Sequence, residues 1–157
     1  MVLSACSQEK AEEGFKIVSD KSVDFTFEVP EDWYISYTDS MLAANNTEDN
    51  ANVTAYCFNT TSEMGADDYW EKYLENFKQR FGQDSISINK LEETTLSVEI
   101  ARHVFYTVDM GQDSFSCQAV ICSRYSTIYM LTFTASPDTY ESHLEDFENI
   151  MSSYKFK

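Results

Sequence analysis

The sequence has few of the residues that interrupt regular structure. Its 157 residues include four glycines and two prolines, and the glycines are scattered. Collagen-like and low-complexity chains need far more of both residues. A phosphate-binding loop needs several glycines close together at the start of a helix. The composition therefore favours a packed globular chain and argues against a nucleotide-binding cradle.

Basic residues are also scarce. Eleven Lys and Arg residues oppose 27 Asp and Glu residues, which gives a formal net charge of −16. Lys and Arg drive binding to nucleic-acid phosphates and to anionic membrane surfaces, so we expect no nucleic-acid partner and no electrostatic membrane binding. The acidic excess is interpreted as solvated surface. The alternative interpretation is that the acidic residues form a surface that binds cations or a basic partner.

Long apolar runs are missing as well. No run approaches the roughly 18 residues that a membrane-spanning helix requires. A chain of this size buries about 70% of its unfolded surface and needs no metal or disulfide to fold. We divide the sequence into residues 1–14, an N-terminal tether, and residues 15–157, one α+β domain.

The tether contains a short motif. Leu3-Ser4-Ala5-Cys6 resembles the lipobox of bacterial lipoproteins, in which the cysteine is acylated and becomes the mature N-terminus. The resemblance implies that Cys6 is a lipid anchor, that the protein is extracytoplasmic, and that it meets the cell membrane through acylated Cys6 only. No charged start and no apolar core precede the box, so we expect a truncated signal peptide. A chance tetrapeptide in a cytosolic protein is the alternative.

Alternating apolar residues predict most of the strands. The clearest alternation covers residues 23–29. Further strands are predicted at residues 15–18, 34–37, 53–59, 85–88, 94–100 and 128–135, and residues 104–110 and 115–121 form a hairpin about Gly111. Because the strands follow one another and long helices are few, we expect a mostly antiparallel sheet.

Two amphipathic helices are predicted. The first covers residues 67–81 and ends at Gly82. The second starts at Pro137, with Ser136 as its N-cap. Their apolar residues recur at steps of three and four, which places them on one face of each helix. We interpret these faces as core: Trp70, Tyr73, Leu74, Phe77 and Phe81 in the first helix, and Tyr140, Leu144, Phe147, Met151 and Tyr154 in the second.

Few side chains suggest chemistry. Residues 41–52 are predicted to be a polar loop, and its Glu48 and Asp49 form a candidate cation loop that lacks the spacing and central glycine of an EF-hand. A solvated loop is the favoured interpretation. His103 and His143, the latter on the polar side of its helix, have no partner at metal-ligand spacing, so we expect no metal site and no cofactor. Serines and acids are too plentiful to identify a Ser-His-Asp arrangement, and we expect no enzymatic activity.

Three cysteines lie in predicted strands. Cys117 and Cys122 are about 16 Å apart if their strand is regular, which is too far for a disulfide. Pairing of Cys57 with either of them stays open. Three buried free thiols are the favoured interpretation.

Two segments far apart in the sequence resemble the PsbP/Mog1-like family. One is FTFEVPEDW at residues 25–33, and the other is LTFTA at residues 131–135, followed by a helix that ends in SYKF at residues 153–156. The resemblance covers residues 15–157. It implies an α-β-α sandwich, in which a central antiparallel sheet carries helices on both faces. The named members of that family bind other proteins.

These observations lead to one expected function and two alternatives. We expect a non-catalytic, lipid-anchored extracytoplasmic domain that binds a protein or a cell-envelope component. A small-ligand or cation-binding module, using residues 41–52 or an aromatic pocket under a helix, is the first alternative. A hydrolase is the second.

Overall fold

The computed structural model describes residues 10–60 and 63–157. Cys6 lies outside them. The described residues form ten strands, two α-helices and one 3-10 turn. In chain order these are β1 Phe15–Ser19, β2 Phe25–Pro30, β3 Tyr34–Thr38, β4 Met41–Asn45, β5 Asn52–Asn59, α1 Ala66–Phe81, β6 Ile86–Leu96, β7 Glu99–Asp109, β8 Ser114–Arg124, β9 Thr127–Ala135, the 3-10 turn Tyr140–His143, α2 Leu144–Ser153 and β10 Lys155–Phe156.

Seven of the strands form one antiparallel sheet in the order β3-β4-β5-β9-β8-β7-β6. The other three form a smaller antiparallel sheet in the order β1-β2-β10. The predicted α+β architecture, a central antiparallel sheet flanked by helices, is confirmed. The second sheet was not predicted, because an alternating pattern shows which face of a strand is buried and not which strand it pairs with.

The small sheet and α2 cover one face of the large sheet. Tyr154, at the end of α2, stacks on Phe25 and Phe27 of β2, with ring centroids 5.2 and 6.2 Å apart. On the other side of this core, Phe133 of β9 stacks on Phe147 of α2 at 5.3 Å. The two segments that carry the family resemblance therefore pack against the same core.

Helix α1 covers part of the opposite face, where it contacts β6, β7 and β8. Its start carries Asp68, whose carboxylate accepts the Gly65 N–H at 3.2 Å, and its end carries Lys78 and Arg80. This charge order suits the helix dipole. Trp70 is the fully buried residue of the helix, and its ring lies 5.3 Å from that of Tyr106. The predicted helix is confirmed to within one residue.

Within residues 10–60 and 63–157, no helix lies over the rest of that face. A helix about 10 Å across covers two or three strands, whereas a seven-stranded sheet is about 29 Å wide. Beyond α1 the buried and half-buried side chains of the central strands are small or polar, namely Ser36, Ala43, Thr54, Thr132 and Thr134, and the face also carries Met41 and the exposed Tyr34 nearer its edge. Large apolar side chains are therefore few where no described helix covers the sheet.

The prediction of a loop over residues 41–52 is wrong in its first half. Met41–Asn45 is strand β4, which pairs with β3 and β5 and buries Leu42 and Ala44. The turn is confined to Asn46–Ala51, where the Asn46 N–H donates to the Ala51 carbonyl at 2.8 Å. The sequence did not reveal β4, because its short apolar pattern is followed directly by a polar turn.

Two other boundaries also differ. The predicted strand at residues 85–88 is part of a longer element, because β6 continues through a bulge near Ile88 to Leu96. The prediction of one strand over residues 94–100 is wrong, because Ser97 and Val98 form the turn between β6 and β7. The second helix does not start at Pro137. Ser136 instead accepts the N–H groups of Thr139 and Tyr140 in a turn, and α2 begins only at Leu144, after the 3-10 turn.

Candidate binding cleft beside helix α1

The two residues of the predicted cation loop lie in the β4–β5 turn. Glu48 is exposed, and its N–H donates to the Asn46 side chain at 2.7 Å. Asp49 accepts the Ala51 N–H at 3.0 Å and contacts His143 Nε2 at 2.7 Å. In residues 10–60 and 63–157, no group of three or more His, Cys, Asp or Glu side chains is arranged to hold a metal ion. The Asp49 carboxylate is thus already engaged by protein groups.

His143 is the centre of this contact, and its predicted position on the polar side of the helix is wrong. Its side chain is buried, its Nδ1 lies 3.0 Å from Asp146, and its ring meets Trp33 edge-on at 5.6 Å. We call Asp49, His143 and Asp146 the His143 clasp. It joins the β4–β5 turn to the start of α2. Sequence reasoning missed it because Asp49 and His143 are 94 residues apart.

Charge holds the clasp together. Burial alone lowers the pKa of His143, but its hydrogen bonds to Asp146 and Asp49 outweigh burial and raise the pKa above its usual value. Burial alone raises the pKa of Asp49, but its bonds with His143 and the Ala51 N–H outweigh that effect and lower it. Both shifts favour an ion pair between the imidazolium and the carboxylate.

The other histidine, His103, lies at the end of a buried series of hydrogen-bonded neutral side chains. His103 Nε2 lies 2.7 Å from Gln118 Oε1, and Gln118 Nε2 donates to the Tyr140 hydroxyl at 2.8 Å. Burial lowers the pKa of His103, although the bond to Gln118 opposes it. This histidine joins β7, β8 and the 3-10 turn, so its role in the structure is to satisfy buried polar groups.

The three cysteines of the described strands are free thiols; Cys117 and Cys122 are buried, as predicted, whereas Cys57 is half-buried. Cys57 and Cys122 both stand opposite Tyr129, one on each neighbouring strand, so their backbones are about 10 Å apart and beyond disulfide reach. Burial raises the pKa of Cys117 to about 11 and that of Cys122 to about 12. These two thiols are protonated at neutral pH and are poor nucleophiles.

An open cleft of about 550 Å³ lies between α1 and the end of β5. Its floor and far wall are mainly aromatic, and its near rim is polar and cationic. The lining side chains are Phe58, Met64, Tyr69, Lys72, Tyr73, Asn76, Phe77, Arg80 and Phe81. The sequence allowed an aromatic pocket under a helix as an alternative, and this cleft lies beside α1 instead.

Helical spacing builds two parallel rows on the cleft side of α1. Steps of four residues return to nearly the same side of a helix. Tyr69, Tyr73 and Phe77 therefore form the floor, and Lys72, Asn76 and Arg80 form the rim beside it. Strand β5 supplies Phe58 from the opposite side.

The aromatic floor is held in place before any ligand binds. The ring of Phe58 lies 5.1 Å from that of Tyr69, and the ring of Phe77 lies 4.7 Å from that of Phe81. The Tyr69 hydroxyl also bonds that of Tyr56 at 2.8 Å. Burial raises the pKa of Tyr69, so its hydroxyl is neutral at physiological pH.

The cleft departs from the rest of the molecule in charge and in exposure. Its lining includes two cations and no carboxylate, although the chain carries a net charge of −16. Phe58 and Phe81 are 36% and 43% exposed. Sequence reasoning assigned the aromatic face of α1 wholly to the core. The sequence did contain a signal for the cleft. The aromatic residues of α1 occupy a wider face of the helix than one row of core contacts needs.

Comparison with solved structures identifies the fold of this chain. No family model and no curated relative matches the sequence. Cyanobacterial PsbP from Synechocystis superposes with a TM-score of 0.72 at 12% identity, covering 99% of both chains. The Ran-binding protein Mog1p of Saccharomyces cerevisiae superposes with a TM-score of 0.65 at 9% identity, covering 90% of this chain and 95% of that one. The chain has the PsbP/Mog1-like fold.

A third solved structure also has this PsbP/Mog1-like fold. LpqN of Mycobacterium tuberculosis, described as involved in cell envelope biogenesis, superposes with a TM-score of 0.57 at 12% identity and covers 91% of each chain. Across the part of the chain that the structure describes, no helix is long and apolar enough to cross a bilayer. At such low identities the comparisons define the PsbP/Mog1-like fold and leave the use of the cleft to be argued from its residues.

The His143 clasp predicts a pH dependence of stability in this PsbP/Mog1-like chain. The pKa of His143 is raised by folding, so its contribution is complete below the unfolded pKa of about 6.5 and is lost as the pH rises through the folded pKa. His143→Gln should lower the free energy of unfolding by about 1–2 kcal/mol at pH 5.5 and by less at pH 8.5. Urea unfolding of both proteins at the two pH values measures this difference.

His103→Gln is the matched control. The pKa of His103 is lowered by folding, so its contribution is present above about pH 6.5 and is lost as the pH falls. The stability difference between wild type and this variant should therefore change with pH in the opposite direction. A His143→Gln difference that is equal at both pH values would contradict the charged clasp.

Proposed function

We propose that this chain is a non-catalytic domain that binds a protein or cell-envelope partner through the cleft beside α1. One observation carries the proposal. On the part of this face that no described helix covers, the buried and half-buried side chains of the central strands are small or polar, as at Thr54 and Thr132, yet two and four residues beyond Thr54 the same face presents Tyr56 and Phe58. Tyr34 is a second exposed aromatic residue of this face, but it lies on the edge strand β3 and contacts no ring among the described residues, whereas Phe58 belongs to an aromatic cluster with Tyr56 and Tyr69.

The energetics favour a partner. An aromatic side chain has roughly 200 Å² of surface, so the exposed parts of Phe58 and Phe81 amount to about 80 Å² each. Covering them is worth about 2 kcal/mol per ring. Aromatic residues and Arg are enriched where proteins bind each other. The lining of the cleft matches that composition, and its floor is already ordered, which reduces the entropic cost of binding.

The structural neighbours support a binding role. Mog1p is described as Ran-binding, and LpqN as involved in cell envelope biogenesis. A small ligand is the second candidate, because a volume of about 550 Å³ falls in the range of ligand pockets. Such pockets usually enclose most of their ligand. This cleft is open along its length, which favours a segment of a larger partner.

We also propose that the domain is lipid-anchored at Cys6 on the outer side of a bacterial cell membrane. The lipobox-like Leu3-Ser4-Ala5-Cys6 supports this, and LpqN, described as involved in cell envelope biogenesis, has a similar fold. Expressed from its own gene, the wild-type protein should fractionate with membranes and carry acyl mass on Cys6 by mass spectrometry. Cys6→Ser should leave the membrane fraction, and Cys57→Ser should remain in it. An unmodified Cys6 would contradict the anchor.

Site-specific photocrosslinking tests the cleft itself. Benzoylphenylalanine in place of Phe81 puts a reactive group in the cleft with little change of shape. The same amino acid in place of Val98, which is 83% exposed at the β6–β7 turn, is the matched control. Irradiated in the cells that encode the protein, the Phe81 position should yield a discrete protein adduct and the Val98 position should not.

Two results would contradict the binding of a protein partner at the cleft. An adduct at position 98 alone would move the contact to the β6–β7 hairpin, where Ile100 and Leu91 are also exposed. No adduct at either position, with both proteins folded and normally localised, would remove a protein partner from this surface and favour the small-ligand alternative.

A further inference from the structure

The rim of the cleft has unused positive charge. Lys72, Asn76 and Arg80 are all exposed along one side of α1. Within the described residues, neither Lys72 nor Arg80 forms an ion pair with a carboxylate, although Asp and Glu outnumber Lys and Arg by 27 to 11 in the chain. Lys78 on the same helix also lacks an ion pair among the described residues, so the feature that distinguishes Lys72 and Arg80 is their position beside an aromatic floor.

The geometry defines what these cations can bind. Eight helical residues separate Lys72 from Arg80, which is about 12 Å along the axis. The Arg80 guanidinium lies over the ring of Phe81 at 5.2 Å. Stacking uses the face of the guanidinium and leaves its N–H edge available for a carboxylate. Asn76, between the two cations, offers an amide that can both donate to and accept from a peptide backbone.

The acids of α1 restrict where such a ligand can lie. Glu63, Asp68, Glu71 and Glu75 line the neighbouring groove on the solvent side of the helix, and Lys72 borders both that groove and the cleft. An acidic segment that crossed the helix would meet these like charges, whereas within the cleft it meets none. The two sides of the helix therefore discriminate by charge as well as by apolar contact.

Resting on the proposed function, we infer that the partner enters the cleft with a peptide segment whose apolar side chains are flanked by carboxylates. The apolar side chains cover the aromatic floor, and the carboxylates pair with Lys72 and Arg80. The open cleft and the amide of Asn76 suit an extended backbone, which has polar groups to satisfy along its length. A fatty-acid chain has no such groups and would stay largely uncovered.

Three matched peptides test this inference. The probes are acetyl-Glu-Leu-Phe-Leu-Glu-amide and its Gln and Lys counterparts, titrated into the isotopically labelled protein and followed by amide chemical shifts. The Glu peptide should shift the amides of Phe58, Tyr69 and Phe81 and bind about fivefold more tightly than the Gln peptide, since two exposed ion pairs each contribute modestly. The Lys peptide should bind most weakly. At 0.5 M salt the differences should shrink.

Charge reversal identifies the residues responsible. Arg80→Glu and Lys72→Glu should each remove the preference for the Glu peptide, and the double variant should prefer the Lys peptide. Lys78→Glu makes the same charge change on the same helix but lies in the groove on the other side, next to Leu74 and Gln79. It should leave the order of the three affinities unchanged.

The outcomes separate this inference from the proposed function. Equal binding of the three peptides at the cleft amides would overturn the carboxylate assignment and leave the cleft as a binding surface. Amide shifts confined to other surfaces, or no amide shifts, would also overturn the carboxylate assignment. In that case the crosslinking at position 81 would test the proposed function independently. Tighter binding of dodecanoate than of the Glu peptide, with the same amides shifted, would assign the cleft to an acyl ligand and contradict the peptide.

Discussion

Coverage of the seven-stranded sheet is the constraint on which the rest of the structure depends. Both of its faces carry apolar side chains, and water must be kept from both. The three-stranded sheet and α2 cover one face. A single helix, α1, contacts β6, β7 and β8 on the other. Beyond the strands that α1 covers, the central strands carry small and polar side chains such as Thr54 and Thr132 on this face, and aromatic side chains continue beside α1 at the cleft.

The covered face explains how a fold persists at 9–12% identity to its structural neighbours. Its core joins opposite ends of the chain, since Tyr154 stacks on Phe25 and the C-terminal strand β10 pairs with β2. The His143 clasp adds a polar link from the β4–β5 turn to α2. Packing of this kind depends on apolar character and volume more than on particular residues. The fold by itself therefore specifies no function.

The sequence predicted what depends on local patterns. Alternation located β2 and the β7–β8 hairpin, and helical spacing located α1 within one residue. It could not predict contacts that only tertiary structure makes, such as Asp49 with His143, or the pairing of β10 with β2. The cleft could be predicted from the sequence only in part. Its aromatic row was visible in α1, but the exposure of that row depends on which strands the helix covers and on Phe58 from a distant strand.

The central claim is that a partner covers the cleft and leaves other exposed aromatic residues in water. Hydroxyl-radical footprinting reads side-chain exposure directly, and the chain contains both reporters and controls. Phe58 and Phe81 line the cleft, while Tyr34 and Tyr125 are 64% and 86% exposed elsewhere. With a detergent-solubilised envelope extract of the source cells, oxidation of Phe58 and Phe81 should fall severalfold and that of Tyr34 and Tyr125 should not change. Unchanged oxidation of Phe58 and Phe81, or protection confined to Tyr34 or Tyr125, would contradict the account.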